Sequence, residues 1–318
     1  MISGTIAGIS SFTVYPLGEI TIPRTSYSYY YISYTPSYAS GTMWIKSTST
    51  ATLVSYQLSS YSGMLNFGNS YTQYLSFESF TCSSIETNIP RFKTYGTFSE
   101  CGTLQRANLY NCTSLASGAF ENCFSLSQIS LPVCKYIGYN AFCRCSSLFQ
   151  VNLPKCEHIG NDAFFNCLSL SQISLPVCSY LSSHAFFNCP KLSQVSLPMC
   201  EYIEEYAFYD CYKLSQVSLP VCKYISNNAF GFCWSLSQVS LPMCSYIGSS
   251  AFYSCNSLSI ITLGYSGVCS LYDSKVFSYT LITRSTGSIY VPSSLVSAYK
   301  SASAWRFYTR IIQSYPGL

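Results

Sequence analysis

Charge is what this sequence has least of: Asp, Glu, Lys and Arg make up 9% of its 318 residues, against roughly 25% in an ordinary soluble domain. The 16 basic residues are scattered, with no run among them. That argues against nucleic acid as a partner, since phosphate binding needs clustered Lys and Arg. Histidine is rarer still, at two, so general acid and base catalysis has little to work with. The acids Glu201, Glu204, Glu205 and Asp210 gather once, with no matching cluster elsewhere. Hard cations need several convergent oxygens, and one such cluster is a thin basis for them. Gly-rich phosphate loops and Cys-x-x-Cys metal knuckles are both missing. No stretch approaches the ~18 apolar residues that span a bilayer. Met1 to Gly8 carries no basic residue and no continuous apolar run, so a secretory signal is not expected there. The tail Ser314 to Leu318 has no lipidation pattern. Catalytic residues, cofactors, metal sites and membrane insertion are therefore all unexpected.

What the sequence has in abundance is apolar and aromatic residues, 48% and 17%, with 18 cysteines and 30 tyrosines. That composition buries a core and excludes disorder. The cysteines set a period. Cys101, Cys123, Cys145, Cys167, Cys189, Cys211, Cys233 and Cys255 follow one another at 22 residues, and Cys112, Cys134, Cys156, Cys178, Cys200, Cys222 and Cys244 interleave at the same spacing. Ala-Phe pairs recur in phase from Ala119-Phe120 to Ala251-Phe252, and Leu-Pro from Leu131-Pro132 to Leu241-Pro242. Such self-similarity marks a solenoid, in which each unit buries its apolar side only against its neighbours.

One unit reads as one coil. Gln128 to Pro132 is a short strand with Ile129 and Leu131 inward and Gln128 and Ser130 outward. The chain turns at Cys134, buries Ile137, turns again near Gly138 and drives Ala141-Phe142 inside; Cys145 and Leu148 close the coil. His158 stands where other units have Tyr136, Tyr180, Tyr202, Tyr224 and Tyr246, and His184 where they have Asn140, Asp162 or Asn228. Both are read as surface substitutions and not as a dyad.

Leu126, Ile129, Leu131 and Cys134 fit the leucine-rich-repeat pattern. The recurring A-F-x-x-C-x-x-L-x-x-[IV]-x-L-P unit, from about Phe98 to Leu263, resembles the BspA-like branch of that class. The extra cysteine after Leu-Pro-x and a period one residue short depart from the family's usual unit; both bear on the ligand and not on the architecture. The resemblance implies a mainly β and irregular chain: a leucine-rich-repeat solenoid of 22-residue repeats with a short helical C-terminal cap and a small N-terminal β domain. The expected divisions are 1–78, a small β-rich module; 79–287, the solenoid; and 288–318, the cap. Within the first, Tyr34 to Thr52 weakly resembles a bacterial immunoglobulin-like module. Ile89 to Phe98 reads as a degenerate repeat, and Gly264 to Thr286 as an interruption of the last one. In the cap, which resembles that of BspA-like proteins, Ser293 is expected to N-cap a helix with Leu295, Tyr299 and Ala302 on one face. Trp305 should pack over the final coil.

Equivalent cysteines in neighbouring coils would lie about 4.8 Å apart but project in parallel, whereas a disulfide needs converging Cβ atoms. The ladder cysteines are therefore read as small buried hydrophobes, unbridged and unmetallated; Cys82, Cys143 and Cys269 fall outside both ladders and stay open. The candidate binding residues are surface columns: Gln128, Gln150, Gln172, Gln194, Gln216 and Gln238 on the strand face, and Tyr136, Tyr180, Tyr202, Tyr224 and Tyr246 beside it. Amides stacked this way could equally bond to one another. Variation between units concentrates at the positions of Tyr139, Asn140, Cys143, Arg144 and Ser146. The resemblance implies a non-enzymatic, extracellular or cell-surface adhesion module that binds a protein or glycan of another cell or host surface. The alternative is a structural or receptor-binding part of a larger assembly, such as a phage tail or surface layer. A fragment of a longer surface protein and a virion component both fit the lack of a secretory signal, and oligomeric state is not legible.

Overall fold

A computed structural model gives residues 112–264, 267–284 and 286–315 with their side chains, residue 99 and most of 105–109, and upstream the backbone of seven strands between residues 2 and 82. The chain forms two compact units, Met1–Cys156 with Asn166–Leu168, and Glu157–Phe165 with Ser169–Leu318. The degenerate repeat at Ile89 to Phe98 and Cys101 fall outside the described residues, as does the side chain of Cys82.

The second unit is a stack of coils. In each, a three- or four-residue strand begins one side: Gln172–Ser174, Gln194–Ser196 and Gln216–Ser218 pair in parallel, as do Gln238–Leu241, Ile260–Leu263, Ser288–Val291 and Ile312–Ser314. Pairing is in exact repeat register, Gln194 opposite Gln216 and Val195 opposite Val217. Alternation puts Ile173 and Val195 inside and Gln172, Ser174, Gln194 and Ser196 outside. A second side carries the two-residue strands His158–Ile159, Tyr180–Leu181, Tyr202–Ile203, Tyr224–Ile225, Tyr246–Ile247 and Ser270–Leu271, again parallel and in register.

The third side has no strand but is hydrogen-bonded just as regularly. Phe186 N donates to Ala207 O at 2.7 Å, Asn188 N to Tyr209 O at 2.8 Å, and His184 N to Glu205 O at 2.9 Å. Two residues per coil there take the left-handed backbone conformation, one before the Ala-Phe pair and one after it: His184 (φ 57°) and Asn188 (φ 52°), Tyr206 (56°) and Asp210 (61°), Asn228 (55°) and Phe232 (60°). Asn and Asp tolerate that conformation; for Tyr and Phe it is a true outlier, held because the coils above and below fix the backbone.

Inside, Phe164, Phe186, Phe208, Phe230, Phe252 and Phe277 form one file of stacked, fully buried rings, with successive centroids 5.1–5.7 Å apart. Alanine before each phenylalanine leaves room for the ring above it. The cysteines flank this file, and their role is more definite than that of small hydrophobes. Cys189, Cys211, Cys233 and Cys255 each donate Sγ–H to the carbonyl of a phenylalanine 25 residues earlier, at 3.0–3.2 Å. The second series, Cys178, Cys200, Cys222 and Cys244, donates to the carbonyl two residues ahead, at 3.3–3.5 Å.

The segment read as an interruption is a coil of its own. Ser270–Leu271 pairs with Tyr246–Ile247, Val276 and Phe277 stand where other coils have Ala-Phe, and Phe252 N donates to Val276 O at 2.9 Å. Cys269 is buried in this coil, its thiol donating to Ser270 O at 3.8 Å. Gly264 opens this coil with its α-carbon against the Pro242 carbonyl, where a Cβ would collide with backbone. The cap differs from expectation in detail. Pro292 (φ −54°, ψ 140°) takes the cap position, Ser293 opens a 3-10 turn, Ser293–Leu295, without a side-chain cap bond, and the α-helix proper is Val296–Ser301. Proline's fixed φ and missing N–H suit a helix entry, which displaces the serine from that role. Of the expected apolar face only Tyr299 is buried; Leu295 and Ala302 are half-exposed. Trp305 is buried as expected, its ring against Tyr299, Phe277 and Tyr308.

In the first unit the same coil recurs. Arg106–Leu109, Gln128–Ser130 and Gln150–Asn152 are parallel and in register, Ser114–Leu115 pairs with Tyr136–Ile137, and Phe120 stacks on Phe142 at 5.5 Å. Upstream, Phe80–Cys82 pairs with Arg106–Leu109, and Tyr31–Ser47 and Ala51–Asn66 pair antiparallel, with Tyr34 opposite Leu65 and Lys46 opposite Thr52.

Candidate binding surface

The glutamine column is laid out by the strand. In the second unit Gln172, Gln194, Gln216 and Gln238 are exposed, and none of these amides is hydrogen-bonded to another among the described residues. The stack is held beside them instead. Ser193 Oγ donates to Ser171 O at 3.1 Å, Ser215 Oγ to Ser193 O at 3.2 Å and Ser259 Oγ to Ser237 O at 3.3 Å. This serine latch was missed, although its signal, a serine before Gln172, Gln194, Gln216 and Gln238 at the repeat period, is in the sequence. It leaves the amides available to an outside partner. In the first unit Gln150 is exposed, Gln128 is half-buried, and Arg106 occupies the column's first place.

The tyrosine column lies on the other strand of each coil, so the two columns line different sheets. Its rings largely face one another: Tyr224 and Tyr246 stack at 4.5 Å and 10°, His158 and Tyr180 at 5.3 Å and 7°, while Tyr180 and Tyr202 are tilted at 6.1 Å. Tyr202 is 41% exposed and Tyr136, in the first unit, 50%. The Tyr180 hydroxyl donates to Glu204 Oε1 at 2.8 Å; burial and that carboxylate push its pKa up to about 12. Between the columns the chain turns a corner, and the residue after Leu-Pro stands out from it. Val177, Met199 and Met243 are 39%, 54% and 45% exposed. Sequence reasoning did not single out this apolar corner, though Val177, Met199, Val221 and Met243 after successive Leu-Pro pairs mark it. Two adjoining sides of the second unit thus run from amides round an apolar corner to tyrosine rings.

The acids that gather once do not converge. Glu201 pairs with Lys223 at 2.8 Å, Glu204 accepts from Tyr180, and Glu205 accepts from Asn227 Nδ2 at 2.9 Å. Among the described residues no group of three or more His, Cys, Asp or Glu could hold a metal ion, and no helix is long and apolar enough to cross a membrane. The histidines serve separate stacks. His184 lies on Tyr206 at 5.0 Å, and His158 lies on Tyr180 with Ser182 Oγ 3.4 Å from Nε2. Desolvation lowers the His158 pKa. A depressed folded-state pKa means the unfolded chain binds the proton more readily, so this residue's contribution is present above its ordinary 6.5 and is lost as pH falls through the folded value. His158→Phe, which titrates nowhere, is expected to flatten the acid side of a stability-versus-pH curve below pH about 6.5.

The variable flank holds left-handed positions, Asn140 and Arg144 among them. Aromatics gather there too. Phe165, Phe187 and Tyr209 stack at 5.0 and 5.2 Å, and Gly231 lies under the Tyr209 ring, where a Cβ would come within 2.7 Å of it. Phe232 then meets Tyr209 edge-on at 5.2 Å.

All the thiols among the described residues are buried and unbridged, Cys143 and Cys269 included. Burial raises several of them: Cys178 to about 11, Cys200 to about 12, and Cys211 and Cys233 well above the ordinary value. Cys134 is held lower by a hydrogen bond with Cys112, yet it is fully shielded from solvent.

Comparison with known proteins places this coil in a family. The BspA type leucine rich repeat region matches residues 66–193 and 179–304, in six copies. No curated protein matches the chain. Among solved structures it is similar to the leucine rich repeat protein TpLRR of T. pallidum, at 24% identity and TM-score 0.41 over 64% of this chain and 83% of that one. It is also similar to a leucine rich cell surface protein of Faecalibacterium prausnitzii, at 18% identity and TM-score 0.33 over 84% and 91%. The pneumococcal vaccine antigen PcpA matches at 16% identity and TM-score 0.38 over 75% and 78%.

Proposed function

This chain belongs to the BspA type leucine-rich-repeat family, and on that premise we propose that it is a non-enzymatic binding or adhesion module of the cell surface, holding a protein or glycan against its repeats. The observation that carries this is the composite surface of the second unit. Unbonded amides at Gln172, Gln194, Gln216 and Gln238 repeat in register beside an exposed apolar edge at Val177, Met199 and Met243 and the column from Tyr180 to Tyr246. Amides and tyrosine hydroxyls give directional hydrogen bonds, and the edge and rings give area at low entropic cost. The divisions at 78/79 and 287/288, with an immunoglobulin-like module before the first, belong to the same proposal; limited proteolysis nicking near those two points would support them.

The test is binding of the full chain to a glycan array and to a panel of immobilised host-surface proteins. The combined variant Gln194→Ala, Gln216→Ala, Tyr202→Ala, Met199→Ala should lose at least about tenfold in affinity, since interface anchors each cost roughly 1 kcal/mol or more. Its unfolding midpoint should stay near that of the parent. With so few charges, raising salt from low to moderate should change binding little. Undiminished binding by the variant sinks this surface. A parent that binds nothing on either panel favours the structural-component reading.

A further inference from the structure

We infer that this chain reaches its fold only while its cysteines are thiols, so that it folds in a reducing compartment and meets any oxidising one already folded. The inference is independent of the ligand. It rests on a contrast between what the thiols do in the folded chain and what they can do before folding.

In the folded chain they are donors in fixed places. Phe208 O accepts from Cys211 N and from Cys233 Sγ, both at 3.2 Å; Phe230 O accepts from Cys233 N at 3.2 Å and from Cys255 Sγ at 3.0 Å. Each thiol thus fills the second lone pair of a buried carbonyl in the neighbouring coil. A bridge between Cys233 and Cys255 would remove both donors at once. It would also need Cβ atoms converging to ~3.5–4.5 Å, whereas equivalent cysteines of stacked coils project in parallel. The fold accommodates the dithiol and not the disulfide. Once formed, it also guards the dithiol, because all the described cysteines are buried and reaction needs an accessible thiolate.

Before folding, nothing guards them. The chain has 18 cysteines, and members of the two ladders alternate 11 residues apart along it, so loop closure between any neighbouring pair is cheap. With a disulfide oxidant such as oxidised glutathione, two cysteine thiols give up two electrons and two protons. One S–S bond forms in the chain, and the oxidant's S–S bond breaks to give two thiols. A bridge between neighbours 11 residues apart joins one ladder to the other, whose thiols the fold ties to different carbonyls, Cys189 to Phe164 O and Cys178 to Tyr180 O. Assembly inside a cell, or export after folding, satisfies this order; threading the unfolded chain into an oxidising space does not.

Cell-free synthesis of the full chain tests it, with a protease-resistant core as the readout and three arms: reductant throughout, oxidised glutathione present during synthesis, and oxidised glutathione added after synthesis. A cysteine-free globular protein made in the same arms controls for the lysate. The core should appear in the first and third arms and fall roughly tenfold or more in the second, with bridged thiols there and free thiols in the third. Equal yields in the first two arms, high or low, overturn the inference. So does loss of the core in the third, since the fold would then not protect its thiols.

Discussion

Phe186→Ala is expected to lower the unfolding free energy by about 3–5 kcal/mol, the range for removing a large buried aromatic side chain. Its ring is fully buried between Phe164 at 5.1 Å and Phe208 at 5.3 Å. Those neighbours cannot close the gap, because their own backbones are tied coil to coil: Phe164 N to Ala185 O at 2.8 Å and Phe208 N to Ala229 O at 2.7 Å. Gln194→Ala, on the exposed strand face, should cost well under ~1 kcal/mol. Denaturant titrations of the two variants decide the matter. Similar midpoint shifts would mean that inside and outside of the coil have been exchanged.

Trp305→Ala should cost a comparable amount, about 3–5 kcal/mol, but the damage should be local. Trp305 Nε1 donates to Cys269 O at 2.7 Å, and the ring closes over Phe277, the last member of the phenylalanine file. Solenoids are stabilised by nearest-neighbour interfaces, and their ends must be capped. Without the indole, the Cys269 carbonyl loses a partner and the coil from Gly264 to Gly287 loses its outer cover. Amide hydrogen exchange should accelerate first in Ser270–Leu271 and around Phe277 and only weakly near Phe186. Trp305→Phe, which keeps much of the volume but not the donor, should cost about 1–3 kcal/mol. Uniform acceleration along the whole second unit would show that the cap does not act locally.

Much of the coil was legible because one 22-residue pattern states the same contacts many times. Inward Ile173 and Val195, the buried phenylalanines and the buried Trp305 all follow from period and polarity. What was not legible depends on backbone conformation or on a broken register. The left-handed positions include His184, Tyr206, Phe232 and Ser250, residues that do not announce such a conformation; the Asn and Asp residues among them, such as Asn140, Asp162, Asn188 and Asn228, hint at it. The coil from Gly264 to Gly287 was hidden because extra residues carry its cysteine to 269, out of step with Cys244, and its Ala-Phe became Val276-Phe277. The helix start was misassigned because serine's capping preference was weighed without the proline before it. On the surface, the two candidate columns were found, but the apolar corner joining them was passed over, since a single Val or Met per repeat reads as core. The serine latch was passed over for the opposite reason: a serine before a surface Gln reads as ordinary surface.

Successive coils of the second unit meet like on like: phenylalanine on phenylalanine, glutamine beside glutamine, serine on the carbonyl of the equivalent serine. Removing or adding one 22-residue segment, cut between any two equivalent positions, restores every one of these matches. The gene can therefore lengthen or shorten in whole-coil steps through unequal recombination between its own near-identical segments. Natural variants of this chain should differ in coil number, with the C-terminal cap retained, far more often than by short insertions scattered within a coil.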